Sequence, residues 1–112
     1  MPKSSDLEKL QQEAWVGDAV LALYARSLIL REDEVLDAAK CSRMTCNQFL
    51  SAWGEPTAVE ARIGRVYEAE GLEGAFRWIE SELLPLFRKQ ETKRMAALRT
   101  QSPRKRKLVA AR

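Results

Sequence analysis

Apolar residues recur at helical spacing along most of the chain, and no stretch keeps the two-residue alternation of a half-buried strand. The pattern predicts about four main helices. Ser5 followed three residues later by Glu8 has capping-box spacing, so a first helix is expected from about Asp6 to Leu30, broken by Arg31-Glu32-Asp33-Glu34. A second is expected from about Glu34 to Trp53, with acids in its first turn, where they suit the helix dipole, and Gly54 as its stop. Pro56 suits the first turn of a third helix, which runs to about Glu70 and is closed by Gly71. Leu72, Ala75, Phe76, Ile79, Leu83 and Leu86 line one face of a fourth, from Leu72 to about Lys89, which Pro85 should kink or end. Beyond Gln90 the apolar pattern thins. The chain thus reads as an all-α protein: one helical domain over 1–89 and a flexible basic tail over 90–112, with no internal repeat evident.

Length and composition narrow the picture. A chain of 112 residues supports one modest core. Its 46% hydrophobic and 31% charged residues describe a folded domain. The longest uncharged run, Met44 to Gly54, is far short of the roughly 20 apolar residues that span a bilayer. The N-terminal M-P-K-S-S-D-L-E-K-L has no apolar centre of a secretory leader, so a cytoplasmic location without a membrane partner is expected. Histidine is absent, which excludes Ser-His and Cys-His nucleophilic pairs and any His-ligated zinc. Cys41 and Cys46, five residues apart in one expected helix, are too distant for a disulfide and read as reduced thiols.

Charge is unevenly distributed. Residues 88–112 carry ten Lys or Arg against one Glu, a net of +9, whereas residues 1–87 carry nine against fifteen Asp or Glu, a net of −6. Such a basic end calls for a polyanionic partner, with Lys93, Arg94, Arg99, Arg104, Lys105, Arg106 and Lys107 as the candidate phosphate contacts.

One acid stands out within the apolar pattern. Between Ala14 and Ala25 the only charged residue is Asp18, in a helix nearly apolar all round, so Asp18 is expected to face packed protein. Gly17 beside it costs about 1 kcal/mol relative to Ala, a penalty that makes sense if another helix or a ligand must approach closely. Thr57-Ala58-Val59-Glu60-Ala61-Arg62-Ile63-Gly64 repeats the design, with Glu60 among apolar positions and Ala61 and Gly64 as small contacts. Two helices touching through these small residues would bring Asp18 and Glu60 to a common point. There they would either share a cation, with Mg²⁺ or Mn²⁺ suited to an all-oxygen site, or make ion pairs with Arg26, Arg62 or Arg65. Trp15, Trp53 and Trp78, with Tyr24 and Tyr67, read as core or interface anchors rather than base-stacking residues.

W-V-G-D-A-V at 15–20 resembles the signature helix of the ribonuclease III family, and T-A-V-E-A-R-I-G-R-V-Y-E-A-E-G-L-E-G-A at 57–75 resembles its second acidic helix. C-S-R-M-T-C-N-Q-F-L at 41–50 looks like the helix between them, and the likeness spans about residues 7–80 in the family's order. Ala14 and Thr57 stand where larger members carry acids; the compact Mini-III subgroup, whose T-A-x-E-A-x-x-G pattern this chain shares, is also non-acidic there. The segment between Trp53 and Pro56 is shortened relative to the family.

The resemblance implies a Mini-III-like endoribonuclease in which Asp18 and Glu60 are catalytic and hold Mg²⁺, or Mn²⁺, for hydrolysis of double-stranded or structured RNA. Ribosomal precursor RNA is the implied substrate, and the products carry a 5′-phosphate and a 3′-hydroxyl. It further implies a homodimer with one site per RNA strand. The alternative is a catalytically lapsed ribonuclease III-like fold that binds RNA or a ribonucleoprotein as a structural module; a helical protein-binding adaptor is a third reading.

Overall fold

A computed structural model describes the backbone of residues 2–110 and the side chains of 5–100. Five helices follow in order: α1 (Pro2–Asp33), α2 (Ala38–Thr45), α3 (Asn47–Ser51), α4 (Pro56–Glu82) and α5 (Leu84–Ala110). All the regular structure among the described residues is helical, as the apolar spacing predicts.

The boundaries show which local signals prevailed. Ser5-x-x-Glu8 does not start α1, which already runs from Pro2, and the helix ends within the acidic stretch, before Glu34 with its φ of 60°. A non-glycine residue in that left-handed region cannot continue a helix. Lys40 Nζ bonds Asp33 at 2.8 Å and Arg88 bonds Glu32 at 2.9 Å, tying the last turn of α1 to α2 and α5.

The expected second helix is two helices instead. Asp37 caps α2 by accepting from the Lys40 amide at 3.0 Å, and Cys46, extended at φ −76° and ψ 159°, separates α2 from α3. Cys41 and Cys46 therefore do not share a helix, and both are free thiols.

Pro56 lies in the first turn of α4, with the Glu55 carboxylate accepting from the Thr57 and Ala58 amides. Gly71, at φ 76° and ψ −174°, breaks α4 into two arms where the sequence places a helix end. That conformation is accessible to glycine almost alone. Of the kink or end expected at Pro85, the structure has the end, reached just before it. The break falls at Leu83, and Pro85 enters the first turn of α5, where its missing N–H has no helical acceptor to lose. Through Thr100 the chain beyond Gln90 is helical; the side chains of 101–112 lie outside the described residues.

α1 forms the spine of the core. Leu21, Tyr24, Ala25 and Leu28 pack against Met44 of α2, Phe49 and Leu50 of α3, Val59, Ile63, Ala75 and Ile79 of α4, and Leu84 and Phe87 of α5. Edge-on aromatic pairs join the layers, Tyr24 with Phe76 at 5.2 Å and Phe49 with Phe87 at 5.6 Å. Burial pushes the Tyr24 phenol up to about 12, helped by the charge of Glu80.

The neighbours cover α1 on one side only, which corrects the burial expected of Asp18 and leaves Trp15 outside the core. Asp18 is exposed rather than packed in the core, and Trp15 is 80% exposed. Trp15, Ala19 and Leu23 form an outward stripe on a helix whose composition is apolar all round. Trp53 and Tyr67 are also partly open to solvent, while Trp78 is half-buried against Trp53 at 5.4 Å with Arg62 over its ring.

Candidate active site

The site forms where α1 crosses the first arm of α4. A Cβ added to Gly17 would land on the carbonyl of Glu60, and one added to Gly64 would land on the carbonyl of Glu13. Gly17 thus meets 60 and Gly64 meets 13, so the helices run antiparallel through the crossing, with their backbones in contact. Ala14 and Ala61, both buried, keep the rest of the crossing thin. The close approach argued from the glycines in the sequence is realised, and the residue approached is the second acid of the expected pair.

Asp18 follows Gly17 and Glu60 lies opposite it, so the crossing brings their carboxyl groups within hydrogen-bonding reach. Such a contact requires a proton on one of the two. Glu60 takes it: half-burial first, then the hydrogen bond and charge of Asp18, then the charge of Glu55, push its carboxyl up to about 7. The pair is an open, proton-sharing acid site, with Asp18 on the solvent side and Glu60 half-covered.

Two of the three arginines expected beside these acids are engaged elsewhere, and Arg26 is exposed and in no ion pair among the described residues. Arg65 Nη1 bonds Glu13 Oε1 at 3.0 Å, and Arg62 lies 5.7 Å from the Trp78 ring centre. Among the described residues, neither Asp18 nor Glu60 is in an ion pair. Of the two outcomes the sequence left open, the structure therefore lacks the ion-paired one.

Two carboxylates form the whole acidic set at this point. Among the described residues no group of three or more His, Cys, Asp or Glu side chains gathers as a metal cage. Ala14 is buried in the helix contact and Thr57 lies in the first turn of α4, so neither adds a donor acid. A hard divalent cation that keeps most of its waters still fits an oxygen pair open to solvent, since Mg²⁺ commonly uses one or two protein carboxylates.

The basic candidates stand on a different element. Lys93, Arg94 and Arg99 are exposed on α5, while Arg104, Lys105, Arg106 and Lys107 lie outside the described side chains. α5 is anchored by Arg43, whose guanidinium bonds both Glu91 oxygens at 2.9 and 3.0 Å and holds the Glu91 carboxyl below the usual range. Sequence reasoning missed Glu13, which is buried and paired. Its spacing four residues before Gly17, matching that of Glu60 before Gly64, is the signal that could have found it.

No family model, curated protein or solved structure matches this chain. No described helix is long and apolar enough to cross a membrane.

Proposed function

We propose that this protein is a metal-dependent endoribonuclease acting on double-stranded or structured RNA, a compact relative of the ribonuclease III enzymes. One observation carries the reading. Asp18 and Glu60, distant in sequence, share one point at a glycine-lined helix crossing, free of basic partners, with Glu60 raised to about 7. Proteins seldom leave two acids in mutual contact without a use for them.

In this reading Asp18 and Glu60 hold Mg²⁺ or Mn²⁺, which would supply activation of water and stabilisation of charge on the phosphoryl group. The chain itself supplies the rest. The backbone contacts at Gly17 and Gly64 set the separation of the carboxylates before substrate arrives, so little reorganisation is left for the reaction. The proton that Glu60 holds in the metal-free site would leave as the cation binds, so binding would strengthen as pH rises through about 7. The exposed cations of α5, Lys93, Arg94 and Arg99, contact phosphates without reading sequence, as suits A-form RNA. Ribosomal precursor RNA is the substrate suggested by the Mini-III likeness. Exposed Trp15 beside Ala19 and Leu23 offers a hydrophobic face for a second copy, in keeping with a homodimer.

The lapsed-fold reading keeps a specific observation in its favour: among the described residues only two acids meet at the candidate metal point. Cleavage of long double-stranded RNA by purified protein in Mg²⁺ or Mn²⁺, beside Asp18→Asn and Glu60→Gln, separates the two. Cleavage lost in both variants supports the enzyme. Salt-sensitive binding of duplex RNA that stays intact in either metal favours the structural module.

A further inference from the structure

The crossing holds a third carboxylate, which the proposed reaction does not use. Glu13 is 8% exposed, the single charged side chain among those described that is buried. Its partner Arg65 is half-exposed and follows Gly64 as Asp18 follows Gly17.

Two hexapeptides, Glu13-Ala14-Trp15-Val16-Gly17-Asp18 and Glu60-Ala61-Arg62-Ile63-Gly64-Arg65, share the pattern E-A-x-x-G, and the fold gives matching positions matching roles. Each glycine lies against the carbonyl of the other segment's glutamate. Both alanines are buried. Each glutamate side chain meets the residue that follows the opposite glycine: Glu60 meets Asp18, and Glu13 meets Arg65. The contacts thus have a local twofold relation, broken where the glutamates find their partners, with Asp18 at one end and Arg65 at the other. One end holds two acids that repel when ionised, and the other holds an acid and a base that attract.

The glycine contacts set how closely the helices approach, and leave the angle at which they cross, a pivot about that contact, to the side chains on either side of it. Repulsion between Asp18 and Glu60 favours such a pivot. An ion pair with a buried acid on the far side of the same crossing opposes it, and is costly to break because the acid is left without a partner.

We propose that Glu13 and Arg65 are positioning residues for the acid pair: their attraction at one end of the crossing holds the helices in the register that keeps Asp18 and Glu60 at a common point. The proposal rests on the reading of Asp18 and Glu60 as the functional site. Its test is built so that the two fail separately.

The variant to make is Glu13→Gln with Arg65→Met, which removes both charges without leaving a buried unpaired acid, beside Arg65→Lys, which keeps the charge. The first readout needs no metal. Thermal unfolding at about pH 8.5 in a chelator is measured for Asp18→Asn, Glu60→Gln and their combination in each background. In the parent, either substitution relieves the repulsion, so the combination raises Tm no further than one alone. In the double-variant background that coupling is expected to fall by at least half, and in Arg65→Lys to persist. The second readout is Mn²⁺ affinity, expected to drop about tenfold or more in the double variant, as for other residues that orient metal ligands, and to recover in Arg65→Lys. A purely stabilising pair would lower Tm in every combination yet leave both coupling and affinity unchanged, and that result overturns the proposal. Loss of coupling with no Mn²⁺ binding even by the parent upholds the positioning role and removes the metal site instead. If the double variant does not fold, Arg65→Gln, which keeps a hydrogen-bond donor toward Glu13, carries the same readouts with a smaller loss expected.

Discussion

The carbonyl of Glu60 occupies the space that a Cβ on Gly17 would fill. This contact joins the fold to the candidate chemistry, because the residue after Gly17 and the side chain of Glu60 form the acid pair. The glycine that weakens α1 as an isolated helix is the one that lets α4 close upon it.

Gly17→Ala should therefore destabilise the protein, against the usual gain of Gly→Ala within a helix. The obstacle is backbone on a packed helix, so relief requires the helices to separate. A loss of about 2–3 kcal/mol is expected, with a smaller m-value if the crossing opens. Gly64→Ala should behave alike, since it meets the carbonyl of Glu13. Urea unfolding of both variants measures it; neutral or stabilising effects would place the helices farther apart than described.

Stability should fall as pH rises toward neutrality on account of Glu60. Its carboxyl is raised from 4.5 to about 7 in the folded protein, so the folded state holds the proton more tightly than the unfolded one. The stabilisation is full below the unfolded pKa and is lost as pH rises through about 7. Because Glu60 is only half-covered, the change is discounted to about 1–2 kcal/mol. Glu60→Gln should flatten this part of the pH profile, and Mg²⁺ added at about pH 8 should stabilise the parent but not the variant.

For activity, Asp18→Asn and Glu60→Gln should each lower cleavage of duplex RNA by about 100-fold or more, with folding intact by circular dichroism. The effects should not multiply, since either change alone dismantles the pair. A variant that keeps near-parental cleavage would place the chemistry elsewhere.

Neutralising Lys93, Arg94 and Arg99 on α5 should weaken duplex RNA binding evenly across sequences. The slope of log affinity against log salt should fall by about one unit for each phosphate that no longer has a cation beside it. A titration of binding against salt reads this directly, and an unchanged slope would detach α5 from the RNA.

Trp15→Glu should leave the monomer folded, because the indole is 80% exposed and contributes little to the core. If two copies pair through this face, the substitution shifts sedimentation toward monomer. The same distribution in parent and variant would assign the exposed indole no role in pairing.

By itself the sequence determined the helical class, the breaks near Glu34 and at Gly71, the first-turn place of Pro56 and the meeting of the two acidic segments. All of these rest on local chemistry: apolar spacing, glycine's access to positive φ, proline's missing N–H, and small residues where backbones touch. The side of α1 left bare, the split at Cys46 and the partner of each acid were decided by tertiary structure alone. An apolar helix reads the same whether it is covered all round or on one face, so Asp18 looked buried and is exposed, and Trp15 lies outside the core. Glu13 is the buried half of an ion pair because Arg65, fifty-two residues on, is delivered to it by the antiparallel crossing. Spacing along a chain specifies which residues share a face; only the packed helices decide what that face meets.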